Sequence, residues 1–174
     1  MHRLLVLALL AGCAKAPTAV VETELGRFEI ALRKGKAAEE FAALAAGKKP
    51  WIDPKTREVR YAPYYDGLEV IRVIPGFVIQ TADRDASVQD APEGTRFDKA
   101  GLVGFSNEGA GTAKGGIFIT LGPAPVLDGR HGIIGEVTAG LDVARRLSEV
   151  PRAAGDAGGD RPLKPLRFDS VTVR

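Results

Sequence analysis

The sequence is poor in the residues that build covalent or metal-based frameworks. Its 174 residues include one cysteine, Cys13, and two histidines, His2 and His131. One thiol cannot form an internal disulfide, and so few soft ligands leave no zinc cluster. No metal and no cofactor is expected. Charge of either sign is not in excess: 24 Lys and Arg stand against 22 Asp and Glu, a net +2. With no basic stripe interleaved with aromatics, nothing points to a nucleic-acid partner. No repeat of solenoid period is present. The N-terminal apolar run, Leu4 to Leu10, falls far short of the roughly 20 residues that a membrane-spanning helix needs. Glycine (21) and proline (11) are plentiful and scattered, which favours many short elements joined by turns over a helical bundle or a disordered tail. The length suits one domain with its own core, expected as a monomer.

The lone cysteine is explained by its neighbours. In "MHRLLVLALLAGCAKAPTA" a short basic start (His2, Arg3) leads into the apolar run, and small residues Ala11 and Gly12 precede Cys13. This is the pattern of an export signal. "LAGC", Leu10 to Cys13, also resembles the lipobox of bacterial lipoproteins. That resemblance implies cleavage before Cys13 and acylation of its thiol. The alternative is an ordinary secretory signal cut after "AKA", which would leave Pro17 just past the cut. On the lipoprotein reading, residues 1–12 are a signal peptide, 13–18 a lipidated tether and 19–174 the folded domain. The protein is then exported and held to a bacterial membrane that it does not span, with its domain in the periplasm or outside the cytoplasmic membrane.

Along the remaining chain, "AVVETELGRFEIAL" alternates at period two around Gly26 and reads as two strands. "KAAEEFAALAAG" reads as a helix with Ala38, Phe41, Ala42 and Ala45 on one face and Gly47 as its stop. "KKPWIDPKTREVRYAPYYDG" is a loop by composition, with Trp51 as its packing anchor. "LEVIRVI" and "FVIQTA", broken by Pro75-Gly76, read as strands, as do "LVGFS", "IFITL", "HGIIGEV" and "LRFDSVTVR". Asp83 to Lys99 is irregular, and "GLDVARRLSEV" is helical with Leu141, Ala144, Leu147 and Ser148 on one side. About eight strands and two helices are expected. Eight strands are enough to close a barrel, and closure removes exposed edges. The first and last strands must then meet.

Several motifs fail on inspection. "GAGTAKGG", Gly109 to Gly116, lacks the terminal Gly-Lys-Ser/Thr of a phosphate loop and is followed by a strand instead of a helix. Asp83-Arg84-Asp85 is too sparse for a calcium loop. No "GxSxG" elbow is present; Ser106 and His131 could meet, but a lone serine and histidine are far more often structural. One arginine admits two readings, a place on the outer face of an edge strand or a donor aimed at a substrate. "VIRVIPGFVIQ", Val70 to Gln80, places Arg72, a charge that is almost never neutralised, in an otherwise apolar run.

That stretch resembles the cyclophilins, which are proline cis/trans isomerases. Their pattern there is Phe-His-Arg-Val-Ile-Pro-Gly-Phe-Met-Ile-Gln, and this chain keeps Arg72, Val73, Ile74, Pro75, Gly76, Phe77, Ile79 and Gln80. "FITLGPAPVLDGRHGIIGEV" is similar to a second family block, and Asn107-Glu108-Gly109 falls where the family has Asn-Ala-Gly. The resemblance implies an eight-stranded antiparallel barrel closed by two helices, acting on proline-containing polypeptides. It implies that Arg72 is the catalytic donor. It also implies a proline pocket of Phe77, Phe118 and Leu127, with Val78 beside them and His131 at the rim. It further implies that Gln80 and the backbone at Asn107 hold the peptide and steer Arg72. The chain departs from the pattern at Val70-Ile71 (for Phe-His), Gly116 (for a substrate-contacting glutamine) and Val126 (for a tryptophan). A glycine-rich loop is replaced by "TADRDASVQDAPEGT". Two readings follow: a prolyl isomerase of reduced activity, or a cyclophilin-like barrel that holds proline segments as a chaperone without useful turnover.

Overall fold

The computed structural model describes residues 16–153 and 159–174. Residues 1–12 and Cys13, which carry the signal and lipidation readings, lie outside them. In chain order the strands β1 (Thr18–Thr23) and β2 (Gly26–Leu32) lead to helix α1 (Lys36–Ala45). A small hairpin follows, β3 (Trp51–Ile52) and β4 (Val59–Arg60). Then come β5 (Leu68–Ile74), β6 (Val78–Thr81), β7 (Leu102–Phe105) and β8 (Ile117–Thr120). A 3-10 turn (Pro125–Leu127), β9 (Ile133–Ala139), helix α2 (Leu141–Ser148) and β10 (Leu166–Val173) complete it.

Eight strands close into an antiparallel barrel in the order β1-β10-β5-β6-β8-β7-β9-β2. The first and last strands do meet. Ala19 pairs with Val173, and Thr18 and Arg174 exchange main-chain hydrogen bonds of 2.8 and 2.9 Å. The barrel begins slightly before residue 19. Thr18 is already in β1, and the Pro17 carbonyl accepts the Leu32 N–H at 2.8 Å. Pro17 and Thr18 therefore take part in closing the barrel.

The interior is filled by alternating inward residues such as Phe28, Ile30, Val73 and Phe168, as expected for a barrel of eight strands. The α1 face is wider than the alanine pattern implies. Ala37, Ala38, Phe41, Leu44 and Ala45 are buried and Ala42 only half so. The shift brings Glu40 into the interface, where Lys36 and Lys49 neutralise it. On α2, Val143 takes the buried position expected of Leu141, which is half-buried. The 48–67 segment contains the β3–β4 hairpin, and Trp51 anchors it by donating from Nε1 to the Ala62 carbonyl at 2.9 Å.

A bulge in β5 decides which way Arg72 faces. Leu68 and Val70 point inward, and unbroken alternation would send residue 72 in after them. The pairing with β6 shifts register between Val70 and Arg72, leaving Ile71 as the extra residue. Side-chain phase therefore flips. Val73 is buried in the core, and Arg72 stands on the outer face.

Candidate functional site

Outside the barrel lies a second, smaller apolar cluster built on Val78, Phe97, Leu102, Phe118, Ala124 and Ile133, with Phe77 and Leu127 packed against it. It exists because residues on both faces of β7 and β8 are buried. Its exposed margin is the floor of a groove of about 140 Å³. The groove is lined by Arg72, Phe77, Val78, Gln80 and Asn107, and on the far side by Phe118, Leu127, His131 and Ser106. All eight residues singled out in the sequence for substrate contact or catalysis meet there. Ser106 is an addition.

Strand register sets the spacing. Arg72 of β5 pairs with Gln80 of β6, and Gln80 pairs with Phe118 of β8. Cross-strand partners share a face, so the three side chains form one row on the outer surface. Arg72 and Phe118 are two strand spacings apart, about 10 Å. Next in the row is Gly104. A Cβ there would lie 2.7 Å from Phe118 Cζ, so only glycine lets the ring lie across β7. The β5–β6 turn carries Pro75 then Gly76 with φ +74°, the pattern of a type II turn, and sets Phe77 at the head of β6.

The aromatic wall is tightly knit. Phe118 meets Phe97 at 5.3 Å and the His131 ring edge-on at 5.1 Å. His131 Nδ1 is 3.0 Å from the Phe105 carbonyl. A carbonyl only accepts, so Nδ1 carries the proton, and in the neutral ring Nε2 keeps its lone pair as an acceptor. Phe97 is fully buried beneath the groove. It is a lone aromatic in a polar loop, the one sequence cue by which it was open to discovery.

Three acidic side chains brace the groove, and none had a sequence signal. Asp90 accepts from Asn107 Nδ2 at 2.8 Å and from the Gly132 N–H at 2.5 Å. It thereby ties the loops bearing Asn107 and His131 together. The Asn107 side chain is fully engaged, donating also to the Arg130 carbonyl at 2.9 Å. Among the described residues, the Asn107 main-chain N–H and C=O make no hydrogen bond, which leaves them available at the groove edge. Asp83 accepts from the Gly116 N–H at 2.9 Å and from Ser106 Oγ at 3.4 Å. Burial pushes the Asp83 carboxyl above its usual range, against those two hydrogen bonds, which pull it down. Asp160 accepts from Arg72 Nε at 3.0 Å. Gln80 was expected to steer Arg72. It sits opposite in register, but among the described residues the guanidinium donates its side-chain hydrogen bond to Asp160 instead.

The sequence model of the family described as cyclophilin type peptidyl-prolyl cis-trans isomerase/CLD matches residues 18–173. The chain belongs to this family of cyclophilins. Among its relatives, the probable peptidyl-prolyl cis-trans isomerase A of Mycobacterium leprae is 34% identical over 168 residues, spanning 90% of this chain and 91% of that one. Peptidyl-prolyl cis-trans isomerase A of Mycobacterium tuberculosis is 33% identical over the same length and with the same coverage. Among solved structures, a Cryptosporidium parvum cyclophilin superposes with a TM-score of 0.70 over 90% of this chain and 96% of its own, at 20% identity. The cyclophilin fold is therefore common to both.

The departure at Gly116 has a structural cause in this cyclophilin. A Cβ at 116 would lie 2.8 Å from both the Ala82 carbonyl and Ser106 Oγ, and would run into the Asp83 carboxylate. The space a longer side chain needs is already taken. Gly116→Gln is therefore expected to cost about 1–3 kcal/mol of stability, as overpacking does, and to bring no gain in isomerase rate. Urea unfolding together with a prolyl-exchange assay checks both. A faster enzyme would show that Asp83 yields the space.

Proposed function

We propose that the protein isomerises Xaa-Pro bonds of exported polypeptides, that Arg72 is its catalytic donor, and that a lipid on Cys13 holds it to a membrane. The observation that carries the isomerase site is the outer-face row of Arg72, Gln80 and Phe118, with the Asn107 backbone beside it.

The chemistry needs no covalent step. Rotation about the peptide bond is held back by a barrier of about 18–20 kcal/mol from amide resonance. Twisting removes that resonance, and the nitrogen becomes pyramidal and able to accept a hydrogen bond. Phe77, Phe118 and Leu127 give the proline ring an apolar seat, with His131 at its rim. The Asn107 N–H and C=O hold the adjoining peptide as a strand would. Arg72, whose guanidinium keeps its charge and offers several donors, reaches across the row to the proline nitrogen. The donation is stronger to the twisted amide than to either planar one, and that difference lowers the barrier.

Gly116 offers no side chain where the family's glutamine touches the peptide backbone. One neutral hydrogen bond less is worth roughly 0.5–1.5 kcal/mol, about tenfold in rate at most. Reduced activity follows. A peptide ligand is in keeping with the Cryptosporidium parvum cyclophilin, whose structure was also solved in the presence of the dipeptide Ala-Pro.

The deciding measurement is cis/trans exchange of an Ala-Pro peptide, followed by NMR at increasing protein concentration. Acceleration above the uncatalysed rate is expected. Binding without acceleration would replace the enzyme with a proline-segment holder. Export and anchoring rest on "LAGC" after the basic and apolar start. Mass analysis of protein from a bacterial membrane fraction is expected to find chains starting at acylated Cys13. An unmodified thiol, or a start beyond Cys13, would discard the anchor.

A further inference from the structure

We propose that Asp160 is the positioning residue for Arg72, fixing the guanidinium so that its terminal nitrogens serve the groove. This rests on the isomerase reading of the same site. Strand β10 pairs with β5 only from Leu68 to Val70. Beyond the bulge, Asp160 takes over that edge. The Val73 N–H donates to the Asp160 carbonyl at 2.7 Å, next to Arg72 itself. The segment is held by its own pairing: Ala153 N–H to Arg161 O and Leu163 N–H to Pro151 O, each 2.9 Å, with a bridge between Arg152 and Pro162. A carboxylate is thus delivered by fixed backbone to the side of Arg72 facing away from the aromatic wall.

The geometry divides the donors. Asp160 Oδ2 takes Nε–H at 3.0 Å, and the N–H groups of both Nη atoms stay outside that bond. Arginine otherwise has many rotamers to lose on binding. Holding Nε fixes the plane of the fork before substrate arrives. The two side chains are 47% and 44% exposed, so the pair adds little to stability, and its placement beside the groove is its distinctive property. No side chain at position 116 shares the task, and among the described residues Gln80 makes no hydrogen bond to the guanidinium.

The test uses the full chain in the prolyl-exchange assay, with Asp160→Ala and Asp160→Asn. Asp160→Ala is expected to lower kcat/KM by about tenfold, mainly through kcat, as misplacement of a catalytic group does. Asp160→Asn, whose amide oxygen still accepts Nε–H, is expected to restore most of the rate. The Arg72 Nε–H signal in 15N spectra is expected to be protected from exchange in wild type and Asp160→Asn, and unprotected in Asp160→Ala. In an Arg72→Ala background, Asp160→Ala is expected to cost nothing more. An unchanged or faster Asp160→Ala enzyme, or an equal loss without Arg72, overturns the proposal while wild-type activity keeps the isomerase reading intact. A wild type without activity overturns the isomerase reading first, and this proposal with it.

Discussion

Arg72→Ala is expected to lower kcat/KM for an Ala-Pro peptide by a hundredfold or more while leaving the barrel folded. The two halves of this result have separate causes. The side chain points outward beyond the bulge, and its ion pair with Asp160 is half exposed. Such pairs contribute about 0–1 kcal/mol, so the thermal midpoint should hardly move. On the proposed role of Arg72, the activity loss follows from removing a preorganised donor aimed at a developing lone pair, which typically costs about 10²–10³ in rate. Because the contact is made chiefly in the twisted state, kcat should fall more than KM rises. Arg72→Lys should fall between, since an ammonium keeps the charge but has neither the Nε–H that Asp160 holds nor the planar fork. Steady-state exchange kinetics, with circular dichroism to verify folding, are sufficient. A rise in KM at constant kcat would make Arg72 a binding group only, and the donor to the amide nitrogen would have to be sought elsewhere in the groove.

The barrel was legible because its signal is repetitive. Period-two runs such as "RFEIAL" and "LRFDSVTVR" each imply an inner and an outer face, and eight of them imply closure. The groove residues were legible only jointly, through resemblance, since Phe77 or Phe118 alone reads as ordinary core. The rest was hidden for definite reasons. The β5 bulge changes the phase of a pattern that looks continuous from Leu68 to Ile74. Burial of Glu40 depends on lysines that reach it from inside and outside the helix. The carboxylates that brace the site bond across 88 residues for Asp160, 42 for Asp90 to Gly132 and 33 for Asp83 to Gly116. No local periodicity encodes contacts of that length. The segments bearing them are irregular, so they carry no face from which a direction can be read.

Phe118→Ala should be the most damaging single change to the groove, in both stability and binding. Phe118 is 4% exposed and joins Phe97 and His131 in one aromatic wall. Truncating a buried phenylalanine costs about 3–5 kcal/mol. The lower end applies here, because the vacated space adjoins an open groove that water can fill. For a chain of this size, about 3 kcal/mol corresponds to a fall in thermal midpoint of roughly 6–12 °C. That is survivable at 25 °C against a typical stability of about 5–15 kcal/mol, so activity remains measurable. With the proposed proline seat gone, KM should rise steeply while the contribution to kcat proposed for Arg72 persists in the molecules that do bind. Gly104→Ala separates the seat from the ring's bulk. It keeps Phe118 but puts a Cβ 2.7 Å from its Cζ, forcing the ring off β7 and toward the groove. If the position of the ring matters, Gly104→Ala should raise KM despite losing no aromatic surface. Thermal melts and exchange kinetics on the pair give the answer. A Gly104→Ala protein with normal KM would mean that the apolar area of the wall, and not its placement, holds the proline.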